Sequence, residues 1–126
     1  MIGLVVVSHS QTAAEGIAEV AGEMGGETRN EAVGGDGQGG FGTVADDIEA
    51  GIEDADSGDG VVVLVDLGSA VMNAEVAIEV SDAEAVIADA PILEGTVNAA
   101  VAATSPKATV ESVREQAEAA RGIEKL

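Results

Sequence analysis

Two hydrophobic patterns alternate along the chain: short, continuously apolar runs and longer stretches with apolar residues at helical spacing. Residues 2–7 and 61–65 form runs of the first kind, which are typical of strands buried on both faces of a parallel sheet. Residues 27–33 predict a weaker, more polar strand near an edge of the sheet, and residues 84–88 predict a short fourth strand that Pro91 stops. The strands alternate with helices, which predicts an α/β fold with an open, mainly parallel, doubly wound sheet and helices on both faces.

Five helices are predicted between and after these strands. The first spans residues 12–24, the second follows Thr43 as its N-cap, the third follows residue 68, and the last two span residues 92–103 and 109–121. The apolar residues that mark four of them are Ile17, Val20, Ala21 and Met24 in the first, Val44, Ile48 and Ile52 on one face of the second, Met72, Val76 and Val80 in the third, and Val110, Val113 and Ala117, which are predicted to face inward, in the last.

Composition limits the kind of protein. The length of 126 residues predicts a single domain covering residues 1–126. Phe41 is the only aromatic residue, so the core must be aliphatic, and the absence of cysteine excludes disulfides and thiolate metal sites. No stretch has the length of a membrane span and no signal-like segment begins the chain, which favours a cytoplasmic protein without membrane attachment.

The charge balance is extreme, with 24 Asp and Glu residues against 5 Lys and Arg residues and a formal net charge of −19. Nucleic acid is a poor partner for such a chain, because binding to phosphates needs basic residues. The acidic residues are scattered rather than gathered in a tail, which favours adaptation to a cytosol of high salt, where the Debye length falls to about 3 Å near 1 M. An acidic patch for a cationic ligand remains the alternative.

Three polar segments are predicted to meet beyond the carboxyl ends of the strands, where ligands bind in doubly wound sheets. They are Ser8-His9-Ser10 after the first strand, the glycine-rich loop at residues 34–42, and the segment 66–69 after the third strand. His9 is the only histidine of the chain. A solitary histidine can also be an ordinary loop residue, and its neighbours decide between the two interpretations.

Asp66 is placed to accept a hydrogen bond from one ring nitrogen of His9, which would leave the other nitrogen as a nucleophile. Gly68 and Ser69 open a helix, and Gly42 with Thr43 are expected to open the helix before it. Two helix N-termini facing one imidazole favour a dianionic phosphoryl group. The alternative is that Asp66 and these residues only cap helices.

Three more specific functional motifs do not match this sequence. Gly35, Gly37 and Gly40 match a dinucleotide-binding spacing, but the loop follows a second, polar strand and does not open a helix directly. The segment "DADSGDG" lacks the ligands of a calcium loop, and no G-x-S-x-G nucleophile elbow is present.

Four segments together resemble the mannose-type enzyme IIA domain: "VVVSHS", "GTVADDI", "VLVDLGSAVMNAE" and "DAPILEGTVNAAVAA". Within that superfamily the chain is most similar to the phosphotransferase subunits of dihydroxyacetone kinase. The resemblance covers nearly the whole chain, and the histidine after the first strand and "DLGSAVMNAE" are its most specific parts.

The resemblance implies that His9 receives a phosphoryl group from the histidine carrier protein HPr and that Asp66 orients the ring. Thr43, Gly68 and Ser69 match the surrounding phosphoryl-binding positions. The implied acceptor is ADP held in a partner subunit of the kinase, the implied assembly is a homodimer, and no metal or cofactor is implied within this chain. The sequence is expected to end after the enzyme IIA domain, whereas some relatives continue into HPr-like and enzyme I-like domains, and it is far more acidic than the family.

Other functions stay open at this point. An enzyme IIA component of a mannose-type sugar transport system would share His9 and its surroundings. A receiver-like regulatory domain would use an aspartate after the third strand, but it needs an acidic pair after the first strand, where this chain has Ser8-His9-Ser10. A small-ligand binding module without chemistry would leave His9 unmodified.

The acidity predicts that the free energy of unfolding rises steeply with salt, because screening relieves repulsion among the carboxylates. It should continue to rise after screening saturates, through ions that are excluded from the surface or bound to it. Melting temperatures across a series from dilute buffer to molar salt test this expectation. A protein most stable in dilute buffer would contradict adaptation to high salt.

Overall fold

The computed structural model describes residues 1–26 and 28–126, which contain a four-stranded parallel sheet in the order β2-β1-β3-β4. The strands are β1 (Gly3–Ser8), β2 (Asn30–Gly34), β3 (Val61–Val65) and β4 (Ala85–Ala88). The helices are α1 (Gln11–Gly25), α2 (Ala45–Ala55), α3 (Gly68–Val80), α4 (Ile92–Ala103) and α5 (Val110–Ala119), followed by a 3₁₀ turn (Ala120–Gly122). The predicted α/β fold with a parallel, doubly wound sheet is confirmed.

The core has one aliphatic layer on each face of the sheet. Successive side chains of a strand point to opposite faces, so a continuously apolar strand contributes to both layers. Leu4 and Val62 pack with α1, α4 and α5 on one face, whereas Val5 and Val63 pack with α2 and α3 on the other. The unbroken apolar runs of β1 and β3 are therefore the consequence of their central places in the sheet.

β2 lies at an edge of the sheet, as its polar sequence predicts. Glu27, where the sequence predicts this strand to begin, lies outside the described residues. From β1 the chain crosses to β2 on one side and then to β3 on the other, so the topological switch point lies between β1 and β3. This is the place where a ligand site is expected.

In α1 and α3, most of the large apolar residues that mark the helices in the sequence do not lie on the buried face. In α3 the buried residues are Ala70, Ala74 and Ala77, whereas Met72 is 74% exposed and Val80 is 58% exposed. Most positions around α3 are apolar, so the spacing of the large residues does not identify the buried face. Small residues face the sheet because they let the helix backbone approach it closely.

In α1, likewise, the buried residues are Ala14 and Ala21, while Val20 and Met24 are exposed. Gly25, at the end of this helix, meets Ala100 of α4 so closely that an added Cβ would lie 2.6 Å from the alanine Cβ. The predicted inward residues of α5 are correct: Val110, Val113 and Ala117 are buried.

The start of α2 also differs from the prediction. The helix begins at Ala45 with Val44 as its N-cap, and no side chain caps it, so Thr43 is not the N-cap. Val44 has extended backbone angles, with a φ of −126° and a ψ of 121°, so the first helical turn cannot begin before Ala45. The start of α3 at Gly68, in contrast, agrees with the prediction.

Across the part of the chain that the structure describes, no helix has both the length and the apolar character that membrane crossing requires.

Two glycines provide a matched test of the packing between β1 and α2. A Cβ at Gly3 would lie 2.2 Å from the backbone oxygen of Ala55, whereas a Cβ at Gly16, in the middle of α1, would meet nothing within 4 Å. We expect Gly3→Ala to lower the free energy of unfolding by about 1–3 kcal/mol or more through overpacking. Gly16→Ala should raise it by about 0.5–1 kcal/mol, because alanine is the better helix former.

Urea denaturation of both variants measures these changes. A Gly3→Ala variant as stable as the parent chain would contradict the close contact between β1 and the end of α2.

Candidate functional site

The site lies at the switch point because β1 and β3 end side by side. Val7 pairs with Val65 in parallel register, and the backbone N–H of Asp66 donates to the carbonyl oxygen of Val7 at 3.1 Å. The residues that follow the two strands, His9 and Asp66, therefore leave the sheet next to each other. The two central strands, buried except at Val65, hold these residues side by side.

The Asp66 carboxylate is the centre of the hydrogen-bond network. Its Oδ1 lies 2.9 Å from His9 Nδ1 and accepts from the backbone N–H of Leu67 at 2.8 Å. Its Oδ2 accepts from the backbone N–H of His9 and from the Ser8 hydroxyl, both at 2.9 Å. The His9 and Asp66 side chains are 24% and 20% exposed, so the pair is largely shielded but reachable from solvent.

Partial burial raises the pKa of Asp66, but the hydrogen bonds from the His9 backbone, the His9 ring and Ser8 together hold it below its ordinary value. Asp66 is therefore an anion at neutral pH and only accepts hydrogen bonds. His9 Nδ1 must then carry the proton, which leaves the lone pair of the neutral ring on Nε2.

Nε2 of His9 faces the beginning of α3. The Ser69 hydroxyl oxygen lies 2.9 Å from Nε2 and can donate to its lone pair. Gly68 and Ser69 begin α3 and are exposed, so their backbone N–H groups, which have no partner within the helix, are open to a ligand. The structure thus brings His9, Asp66, Gly68 and Ser69 into one site.

Gly42 and Thr43 reach this site through different contacts. The backbone N–H of Gly42 donates to the carbonyl oxygen of His9 at 2.9 Å, which ties the glycine-rich loop to the histidine. The Thr43 hydroxyl accepts from the side-chain amide of Asn73 at 2.7 Å, and the Thr43 carbonyl accepts from the same amide at 3.1 Å. Thr43 is thereby fixed to α3 rather than capping α2.

The glycine-rich loop between β2 and α2 is organised by Asp36. Its Oδ1 accepts from the backbone N–H groups of Gln38 and Gly40, at 2.8 and 2.9 Å, and these bonds lower the pKa of Asp36. Gly37 and Gly39 have φ values of +83° and +85°, which only glycine adopts readily. Phe41, next to the Gly42 that bonds the carbonyl oxygen of His9, is 83% exposed.

Sequence reasoning missed two polar residues of the site. Ser8 is 3% exposed and donates to Asp66, although its position beside His9 could have indicated this role. Asn73 follows Ser69 by four residues, which places both on one face of α3. That spacing is the signal that could have linked Asn73 to the site.

Within residues 1–26 and 28–126, no three His, Asp or Glu side chains are grouped so that they could hold a metal ion. The chemistry that the described residues support is nucleophilic attack by an oriented, neutral imidazole on an electrophile docked at a helix N-terminus.

Comparison with known proteins relates this geometry to a family. Residues 3–114 match the family model EIIA-man, described as the PTS system fructose IIA component. Over 106 residues the chain is 41% identical to the phosphoryl donor subunit DhaM of PEP-dependent dihydroxyacetone kinase 2 from Listeria innocua, covering 80% of this chain and 85% of that protein. It is 35% identical over 116 residues to the phosphotransferase subunit DhaM from Lactococcus lactis, covering 92% and 93%.

Some relatives are much longer. In the DhaM protein of Escherichia coli, which is 36% identical over 113 residues, the matched part is 24% of the length. Among solved structures, a protein of unknown function has a TM-score of 0.81 and 29% identity, with 93% of this chain and 92% of that chain covered. A phosphotransferase system component EIIA from Streptococcus agalactiae has a TM-score of 0.69 and 18% identity, covering 99% and 97%, which supports the fold alone. With its family-model match and these relatives, the chain belongs to the EIIA-man family of phosphotransferase-system IIA components.

Proposed function

We propose that this chain is the phosphoryl donor subunit of a PEP-dependent dihydroxyacetone kinase, and that it carries the phosphoryl group on His9 Nε2. The observation that carries the proposal is the orientation of the ring. Asp66 holds Nδ1, and Nε2 faces Ser69 at the start of α3. Relatives that are named as DhaM subunits and match most of the chain favour dihydroxyacetone over a sugar as the final substrate.

In the proposed transfer, the Nε2 lone pair attacks the phosphorus atom of a phosphohistidine on the donor protein. A P–N bond to His9 forms as the P–N bond to the donor imidazole breaks, and the electron pair of the broken bond returns to the donor ring. Nδ1 keeps its proton throughout, so the phosphorylated ring carries a positive charge that the Asp66 carboxylate stabilises. Positioning and charge stabilisation are the main contributions of the protein in such a step.

The dianionic phosphoryl group would be stabilised without basic side chains. The segments 8–10, 34–43 and 66–69 contain no Lys or Arg. The free N–H groups of the first turn of α3 and the dipole of that helix favour an anion. The Ser69 hydroxyl, which lies against Nε2 before transfer, can rotate about χ1 and donate to a phosphoryl oxygen afterwards.

The proposed partners are HPr as phosphoryl donor and an ADP-binding subunit of the kinase as acceptor, in the cytoplasm. Opposite charges cannot hold such encounters together in high salt, because screening removes long-range attraction. Exposed apolar residues around the site offer a contact that salt does not weaken: Phe41, Leu67 and Met72 are 83%, 58% and 74% exposed. We also propose that the subunit works as a homodimer, as the family resemblance implies.

The first test is phosphorylation in a reconstituted relay. Incubation with phosphoenolpyruvate, enzyme I and HPr should place one acid-labile phosphoryl group on His9, since its Nε2 is the oriented nucleophile. Mass spectrometry under alkaline conditions locates the group, and a folded His9→Gln variant is the control. A label on Asp66, or none on a well-folded chain, would refute the carrier function.

The second test replaces Asp66 by asparagine. The amide can donate to the ring nitrogen and favour the wrong tautomer, so transfer from HPr should slow by about 10²-fold or more. Rapid-quench measurement of the transfer rate checks this expectation. A rate equal to that of the parent chain would reduce Asp66 to a structural residue.

The Asp66→Asn variant can also be tested through the dependence of stability on pH. The pKa of Asp66 is lower in the folded chain than in the unfolded one, so its ionised form stabilises the fold above the unfolded pKa of about 3.9. That contribution disappears as the pH falls through the folded pKa. Asp66→Asn should therefore lose less stability than the parent chain over this acidic range, as thermal unfolding at a series of pH values would show.

A further inference from the structure

We infer that Ser8 is a positioning residue for His9, and that it acts by fixing the orientation of the Asp66 carboxylate. Ser8 is the last residue of β1 and is paired with Gly34 of β2, so its backbone is held by the sheet. Its side chain is buried, with the residue 3% exposed, and its hydroxyl donates to Asp66 Oδ2 at 2.9 Å. Ser8 has no direct contact with the ring of His9 among the described hydrogen bonds.

The direction of the Ser8 hydroxyl is set by a second contact. The backbone N–H of Ser10 donates to Ser8 Oγ at 3.1 Å, so an oxygen lone pair is occupied and the proton of the hydroxyl is left for Asp66. The result is a chain of donors from the Ser10 backbone through Ser8 to the carboxylate. Such chains strengthen each bond through polarisation.

The four donors to Asp66 divide between its two oxygens. Oδ1 accepts from the ring and from the Leu67 backbone, and Oδ2 accepts from the His9 backbone and from Ser8. Ser8 is the one side chain other than the ring among these donors. Without it, Oδ2 would keep a single donor, and the carboxylate would be freer to rotate away from the line between Oδ1 and Nδ1.

A simple turn is the competing explanation for Ser8, because a serine often accepts from the N–H two residues later. A turn alone, however, does not place the hydroxyl proton on a carboxylate that also binds the nucleophile. The positioning role predicts that loss of this hydroxyl changes the ring of His9, whereas a turn predicts only lost stability.

The test uses ¹⁵N NMR of the imidazole, whose signals all come from His9 because it is the only histidine, and correlations to the ring protons distinguish Nδ1 from Nε2. In Ser8→Ala the fraction of ring protonated on Nε2 should rise at least about two-fold, because Asp66 holds Nδ1–H less firmly. The pH at which the ring signals respond to protonation of Asp66 should also rise, because the carboxylate has lost a donor.

Three further variants distinguish a positioning role of Ser8 from a purely structural one. Ser8→Thr keeps a hydroxyl and should restore both readouts, and Ser8→Cys, with a weaker donor, should fall between serine and alanine. Ser10→Ala is the matched control, because the Ser10 hydroxyl caps α1 by accepting from Ala13 and makes no bond to Asp66. It should lower stability without changing the tautomer ratio. If Ser8→Ala does not fold, the comparison of Ser8→Cys with Ser8→Thr decides the question.

A parent-like tautomer ratio and Asp66 response in folded Ser8→Ala or Ser8→Cys would overturn the inference. The transfer rate from HPr, which rests on the proposed function, should fall in Ser8→Ala and recover in Ser8→Thr. If no variant and no parent chain accepts a phosphoryl group while the NMR changes occur, the proposed function fails and the positioning role stands. If transfer is normal and the NMR readouts are unchanged, the positioning role fails alone.

Discussion

The site depends on one hydrogen bond across the switch point, between the ring of His9 and the carboxylate of Asp66. Its two residues are 57 positions apart in sequence and are brought together because β1 and β3 are parallel neighbours that end at the same level. The crossover from β1 to β2 and the crossover from β2 to β3 run in opposite directions along the sheet, which leaves the crevice between the ends of β1 and β3 uncovered. The orientation of the imidazole is thus set by the backbone of the sheet rather than by a mobile loop.

The aliphatic core makes this placement rigid. A pair held at 2.9 Å needs two strands that do not shift against each other, and Val5, Val7 and Val63 are completely buried between helices. Because alanines and glycines face the strands, as Ala74 of α3 and Gly51 of α2 do, the helix backbones lie close to the sheet. Tight packing of this kind leaves little room for the shift that would open the hydrogen bond.

The sequence predicts the strand topology that positions the site, but not every contact of its side chains. Continuous apolar runs identify β1 and β3 as central strands, and polarity identifies β2 as an edge strand, so the neighbours of His9 follow from topology alone. The buried face of α5 follows from its apolar spacing, but that of α3 does not, because α3 is apolar on most sides and only the packing selects its alanine face. The hydrogen bond between Asn73 and Thr43 cannot be predicted either, because shifts of a few tenths of an ångström decide whether it forms and the spacing of residues in the sequence does not determine such shifts.

The absence of Lys and Arg from the segments that form the site has a consequence for the proposed carrier. A phosphoryl group held by an arginine fork would gain strong, charge-assisted bonds and would leave slowly. Backbone N–H groups at the start of α3 and the hydroxyl of Ser69 provide weaker, uncharged donors. Asp66 acts on the ring and not on the phosphoryl group, so it favours formation of the charged phosphoimidazole without binding its cargo. The ring is thus strongly oriented while the phosphoryl group is weakly bound. This combination suits a carrier that must receive and release the same group at one atom.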